Sequence, residues 1–216
     1  MNAEPTLELG MSVERTAIPP LCSTDLLGVT TYRAILADPP WPIKWQRNAG
    51  IRTRELDYPT MPISEMCLMP VKEMAHKDGC TLFMWTTNAF LPEALGIVKA
   101  WGFTYEMLYT WCKNNGMGGH PRCATEHMII AVRGTPRRGD RHDSMILNWG
   151  CYPLGKHSEK PEAIQTMIEK ITEAPRLELF ARRKRAGWHT WGNEVPNDVE
   201  LVTPNGKLTR CGEEGA

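Results

Sequence analysis

With 216 residues, 42% of them hydrophobic and 23% charged, the chain is long enough for one well-cored domain and leaves little room for a second. Its 25 basic and 25 acidic side chains cancel to zero formal charge, which argues against a protein that coats nucleic acid through bulk positive charge. No apolar run nears the roughly 18 residues of a membrane span and the N-terminus lacks a signal layout, so a soluble, cytoplasmic chain with no membrane partner is expected.

Residues 1–30 carry weak periodicity and a Pro19-Pro20 break, and are expected to form a partly disordered arm. One domain is expected over 31–200, followed by a tail over 201–216. Tyr32 to Ala37 is a short apolar run stopped by Asp38-Pro39-Pro40, which predicts a buried strand. Residues 42–60 lack periodicity and predict a mobile loop carrying Lys44, Arg47, Arg52 and Arg54. From Ser64 to about His76 one or two short helical turns are expected, interrupted at Pro70. Cys80 to Trp85 predicts a second strand. Leu91, Ala94, Leu95 and Val98 then recur at helical spacing, with Pro92 in the first turn and Gly102 as the stop.

Tyr105 to Trp111 and His127 to Val132 predict further strands, joined by a Gly-rich loop from Lys113 to His120. A polar loop over 133–150 follows. Ile164, Met167, Ile168 and Ile171 mark another amphipathic helix, with Pro161 near its start, and Arg176 to Phe180 predicts a last strand. Strands alternating with helices point to an α/β sandwich with a mostly parallel sheet.

The chemistry is concentrated in Asp38-Pro39-Pro40-Trp41, directly after the first strand. In open α/β sheets ligands bind at the carboxyl ends of strands. The two prolines stiffen the turn and leave the Pro39 carbonyl without a following N–H, so a carboxylate, a free carbonyl and an aromatic plane are expected together. A flipped adenine matches this set: Asp38 and the Pro39 carbonyl accept the two amine hydrogens, and Trp41 stacks on the ring. Gripping both hydrogens draws the nitrogen towards sp³ and localises its lone pair for in-line attack on a methyl sulfonium. The bland alternative is a Pro-rich turn with Asp as a local cap. At average composition the tetrapeptide arises by chance in fewer than roughly one chain in a thousand of this length, which favours the functional reading.

Several signals point nowhere specific. Seven Cys without a C-x-x-C pair suggest reduced, mostly buried thiols, with Cys67 and Cys80 inert. Cys112, His120, Cys123 and His127 fit no zinc-finger spacing, so no metal is expected. Met61, Met66, Met69 and Met74 read as packing. No dinucleotide or Walker glycine pattern occurs, as befits a cofactor without phosphate.

In ordered blocks from about residue 32 to 196 the chain resembles the MT-A70 (METTL-like) adenine-N6 methyltransferases, a family with messenger-RNA enzymes and many prokaryotic and phage DNA enzymes. The blocks are Ala37 to Trp41; Tyr58 to Met61 with Ser64; Leu82 to Trp85; Ala100 to Phe103; and Trp111 to Lys113. They continue with Glu126-His127; Arg133 to Pro136; His157 to Pro161; Glu178 to Arg182; and Gly187 to Glu194. The resemblance implies a class I S-adenosylmethionine-dependent fold, Rossmann-like, with permuted motif order. It implies that Lys160, Phe180, Arg182, Asn193 and Glu194 line the cofactor pocket with Asp38. Asn193 and Glu194 suit the ribose, Asp38 the cofactor's amino group, and Lys160 or Arg182 its carboxylate. Tyr58 would lie in a loop closing over the site, and Glu126 would face the target nucleotide.

After Arg182 the sequence runs Arg183-Lys184-Arg185, unlike the messenger-RNA enzyme at positions touching the ribose. Phosphates would be gripped by the 42–57 loop and by the basic loop at 133–141, with Arg133, Arg137 and Arg138. A short chain without added modules favours DNA as substrate, with RNA the alternative. A silent nucleic-acid-binding adaptor is a more distant reading. Because the chain is neutral, a second copy or partner subunit is expected to add grip.

Overall fold

The computed structural model describes residues 31–42, 59–117, 121–136, 146–155, 159–203 and 206–207. Seven strands form the main sheet. They are β1 Ala34–Ala37, β2 Gly79–Thr86, β3 Thr104–Met117, β4 Cys123–Gly134, β5 Trp149–Cys151, β6 Arg176–Leu179 and β7 Trp188–Trp191. Their spatial order is β5-β3-β4-β2-β1-β6-β7. The pairs β1–β2, β1–β6, β6–β7 and β3–β5 are parallel, while β4 is antiparallel to both β2 and β3. Six strands therefore point one way and β4 alone runs against them. The result is a mostly parallel, Rossmann-like α/β sheet. Beyond it, β8 Val202–Thr203 and β9 Gly206–Lys207 pair antiparallel within the region expected to be a tail.

Strand β1 sits inside the sheet with all four residues buried, which is why its sequence is continuously apolar rather than alternating. Helices α1 Ile63–Leu68, α2 Val71–Met74 and α3 Leu91–Ala100 belong to one face of the sheet, with Pro70 between the first two. Met61, Met66, Met69 and Met74 all pack into that core, with Ile35, Leu82, Met84, Ile97 and Trp101. The Trp101 indole donates to the Met66 carbonyl at 2.7 Å, tying α1 to α3. Helix α4, Glu162–Ile171, belongs to the other face, with Ile164 and Ile168 against Leu36, Phe83, Trp85, Trp111 and Trp188. Trp85, Trp101 and Trp111 are almost fully buried; each hides about 150–250 Å², an upper bound of about 4–6 kcal/mol of transfer free energy. Burial pushes the Cys80 thiol up to about 12, so it is a packing group.

Three expectations shift. In α3 the buried arc is Ala94, Ile97 and Val98, while Leu95 is 40% exposed, so the helix is rotated relative to the predicted face. The Gly-rich segment is strand as far as Met117. Strand β5 begins inside the expected polar loop, and β7 follows the last strand that the sequence predicts. β5 is three residues on an edge, too short for a period. Its Gly150 lets the Tyr109 hydroxyl come where a Cβ would sit, 2.6 Å away.

Candidate active site

The carboxyl ends of β1, β2, β6 and β7 and the starting end of β4 share one edge of the sheet, and Asp38 emerges there directly after β1. The turn that follows differs from expectation in two ways. The Trp41 N–H folds back onto the Pro39 carbonyl at 2.9 Å, so that oxygen is not bare; one lone pair remains. The Trp41 indole is not an open platform either. It is 4% exposed, stacks on Phe90 at 5.3 Å and 18°, and donates Nε1–H to the Trp85 carbonyl at 3.2 Å. The missing proline N–H frees a partner, but the next residue supplies one, and the indole's apolar area favours the core. Trp41 fixes the turn from beneath.

Lys160 lies at the entry to α4 and bonds both oxygens of Asp38, at 2.8 and 2.7 Å. Its ammonium is also 3.5 Å from Glu126 Oε2 and 5.6 Å from the centre of the Trp85 ring. Glu126 in turn pairs with Lys113, which stands 4.8 Å over Trp111. The four groups alternate in sign, Asp38–Lys160–Glu126–Lys113, on the face that carries Trp85 and Trp111. Burial alone would lower the Lys160 pKa, but Asp38 and Glu126 together hold it above the ordinary value. Burial would raise Glu126, yet Lys160 and Lys113 hold its carboxyl below the usual range. Lys113 belongs to a recognised block but carried no assigned role in the sequence; only its long-range pairing reveals one.

Beside this chain opens a cavity of about 320 Å³, within the range of small-ligand sites. Asp38, Lys160, Phe180 and Arg182 line it, as the sequence suggested, with Glu159, Gln165, Glu178 and Arg183 in addition. Leu36, Trp85 and Ile164 supply apolar wall. Glu178 accepts from the Gln165 amide at 2.6 Å, and burial, with the nearby Asp38 charge, pushes its carboxyl up to about 7. Carboxylates, cations and apolar wall in one cavity fit a zwitterion that also carries a flat apolar part.

After β6 the chain turns sharply. Phe180 has φ 62°, strained for a bulky side chain, and its ring meets Trp191 edge-on at 5.5 Å. The next residue crosses the end of β7, where Ala181 N–H donates to the Trp191 carbonyl at 2.9 Å. A Cβ on Gly192 would lie 2.1 Å from the Ala181 oxygen, so only glycine allows the crossing. Arg182 and Glu194, expected at the cofactor, approach each other to 3.6 Å at the rim. Asn193 is exposed beside them. The basic run is not a bare phosphate patch: Arg183 meets Glu159, Lys184 meets Asp198, and Arg185 grips Glu162 and Glu169.

Arg133, expected among the phosphate-gripping residues, stands apart from the cavity. It pairs with Cys80 while Ala37 pairs with Met84, which puts it about 13 Å down the sheet from the end of β1, at the opposite edge. The reversal of β4 that delivers Glu126 to the site carries Arg133 away. Tyr58, Arg137 and Arg138 lie outside the described residues, as do Lys44, Arg47, Arg52 and Arg54. On the other face of β4, His127 bonds Thr110 and Asn88 at 3.1 and 3.0 Å, and burial lowers its pKa.

Comparison with known proteins bears on the same edge. The MT-A70 family model matches residues 32–194, a span holding Asp38, Lys113, Glu126, Lys160 and the whole cavity lining. The type II methyltransferase M.MunI of Mycoplasma sp is 33% identical over 195 residues, covering 80% of this chain and 82% of that protein. The N(6)-adenosine-methyltransferase MT-A70-like of Arabidopsis thaliana is 30% identical over 190 residues, 82% of this chain but 25% of its own length. The METTL3 catalytic subunit of Homo sapiens is 26% identical over 189 residues, 81% of this chain and 30% of its own length. Thus the chain spans most of M.MunI and between a quarter and a third of those two longer relatives. With the model matched over three-quarters of its residues, the chain belongs to the MT-A70 family.

Proposed function

We propose that the chain transfers a methyl group from S-adenosylmethionine to the N6 amine of an adenine in DNA. Methyl transfer to adenine N6 follows from membership of the family. The observation carrying the reading is that Asp38 faces two ways: it lines the cavity and it heads the charged chain leading to Glu126. A carboxylate so placed meets a donor on one side and a nucleobase on the other.

The residues suit the donor. Lys160 and Arg182 offer cations to its carboxylate, Asp38 and Glu178 accept from its amino group, and Asn193 and Glu194 suit ribose hydroxyls. When bound, S-adenosylmethionine supplies an electrophilic methyl on sulfur. Each Asp38 oxygen keeps a lone pair beyond its bond to Lys160, and Pro39 keeps one beyond its bond to Trp41, so both amine hydrogens find acceptors. Holding them localises the nitrogen lone pair without a covalent enzyme intermediate. Lys160, with its raised pKa, stays protonated and cannot take the proton lost after transfer. Asp38 Oδ is the acceptor within reach.

DNA is favoured over RNA because the chain matches a type II methyltransferase along most of both lengths, whereas it covers only part of the adenosine-named relatives. The test supplies labelled donor with matched DNA and RNA oligonucleotides, digests the products and identifies the nucleoside. N6-methyldeoxyadenosine is expected. Label appearing solely in RNA would reassign the substrate, and label on cytosine would remove the adenine reading.

A further inference from the structure

Two buried side-chain atoms among the described residues find no hydrogen-bond partner, Arg33 Nη1 and Thr87 Oγ1. Buried donors left unsatisfied are uncommon and costly. Arg33 stands just before β1, at the far edge, and its other nitrogens lie 3.8 and 3.5 Å from Asp78 and Glu173. Thr87 stands at the active edge.

Its position follows from the register. Trp85 pairs with Met128 and Thr86 with His127, where the ladder ends; just beyond it the Asn88 side-chain amide donates to the Thr125 carbonyl and hydroxyl at 3.0 and 3.1 Å. Thr87 follows directly on Thr86, as Glu126 directly precedes His127. Its backbone is extended, φ −92° and ψ 165°, so its side chain returns to the face of Trp85. That is the face of Glu126, Lys160 and Lys113. On the neighbouring strand, Asp38 follows the residue paired with Met84.

From this we infer that Thr87 is a specificity-determining residue whose hydroxyl donates to a ring nitrogen of the target adenine, N1 or N7, flanking the reacting amine. The inference rests on the adenine-N6 function proposed above. Asp38 and Glu126 can only accept, and the Lys160 and Lys113 ammoniums are directed at carboxylates. The Thr87 O–H is the donor left unspent. Adenine presents a bare acceptor on each side of the carbon bearing the amine, so an amine held by Asp38 brings such an acceptor with it. In the structure the hydroxyl is closed to water, so a base meets it only once the side chain turns or its cover moves.

The test uses the full chain with Thr87→Val and Thr87→Ser, read by thermal unfolding and by kcat/KM. Substrates are oligonucleotides whose target is adenine, 1-deazaadenine or 7-deazaadenine. Valine keeps the shape and removes an unpaired polar group, so Tm should rise by about 2–4 °C. At the same time kcat/KM on adenine should fall about 10- to 100-fold, and serine should restore it to within about threefold. Wild type and Thr87→Val should be equal on the one analogue lacking the recognised nitrogen, which also decides between N1 and N7. An unchanged kcat/KM, an equal loss on all three bases, or a fall in Tm would each overturn the inference. Asp38→Ala run alongside separates the two claims: if it abolishes transfer while Thr87→Val does not matter, only the role of Thr87 fails. If Asp38→Ala transfers normally, the function itself fails.

Discussion

Lys160 gives two hydrogen bonds from one ammonium to Asp38, 2.8 Å to Oδ1 and 2.7 Å to Oδ2, joining residues 122 positions apart. The contact ties the entry of α4 to the end of β1, and so fixes one wall of the cavity to the turn that grips the base. Its consequences extend to Glu126, 3.5 Å from the same ammonium.

Lys160→Met leaves two carboxylates facing each other across a lost cation. Removing one partner from a largely buried ion pair costs about 3 kcal/mol, measurable by urea unfolding at pH 7. The sign for Glu126 is definite. Its folded-state pKa is depressed, so its contribution is present above the ordinary carboxylate range and is lost as pH falls through the lower folded value. In the variant that contribution shrinks, and the acid limb of the activity profile should move towards neutral pH. An acid limb that stays in place would mean Lys160 does not govern Glu126.

Glu178 predicts the opposite slope. Burial raises its folded pKa to about 7, above the unfolded value, so the native state binds the extra proton between about pH 4.5 and 7. Stability therefore falls as pH rises through that window, and the penalty is complete above it. Glu178→Gln keeps an acceptor for Gln165 and removes the charge. Its Tm should exceed that of the wild type at pH 8 and match it near pH 5; a constant difference across the range would show that Glu178 does not titrate there.

Trp41 is tested as a packing residue. Trp41→Ala removes the stack on Phe90 and the donor to the Trp85 carbonyl, both in the core. A loss of about 3–5 kcal/mol in urea unfolding is expected, as for other buried tryptophans. A loss under about 1 kcal/mol would mean that the indole is available to substrate after all.

How far the sequence reached depends on which contacts are local. The strand ending at Asp38 was legible because prolines stop an apolar run at a point that sheet proteins use for binding. Asp38, Lys160, Phe180 and Arg182 were nameable from the family blocks and meet at one cavity. Strand direction was not legible. Glu126 and Arg133 stand on one strand, and only the antiparallel course of β4 sends the first to the site and the second away. The environment of Trp41 was hidden for a similar reason, since its stacking partner Phe90 lies in a different segment. Thr87 carries no motif at all. Its significance is an unsatisfied hydroxyl, which exists only once neighbouring strands are in register.

The most direct measurement is single-turnover methyl transfer by Asp38→Ala to an adenine-containing DNA oligonucleotide, with folding checked by Tm and donor binding by calorimetry. In the variant Lys160 still has Glu126 beside it, so the protein should stay folded. The account predicts at least a roughly hundredfold slower transfer step, the scale expected when a preorganised acceptor of developing charge is removed. A folded, donor-binding Asp38→Ala protein that transfers methyl at near the wild-type rate would contradict it.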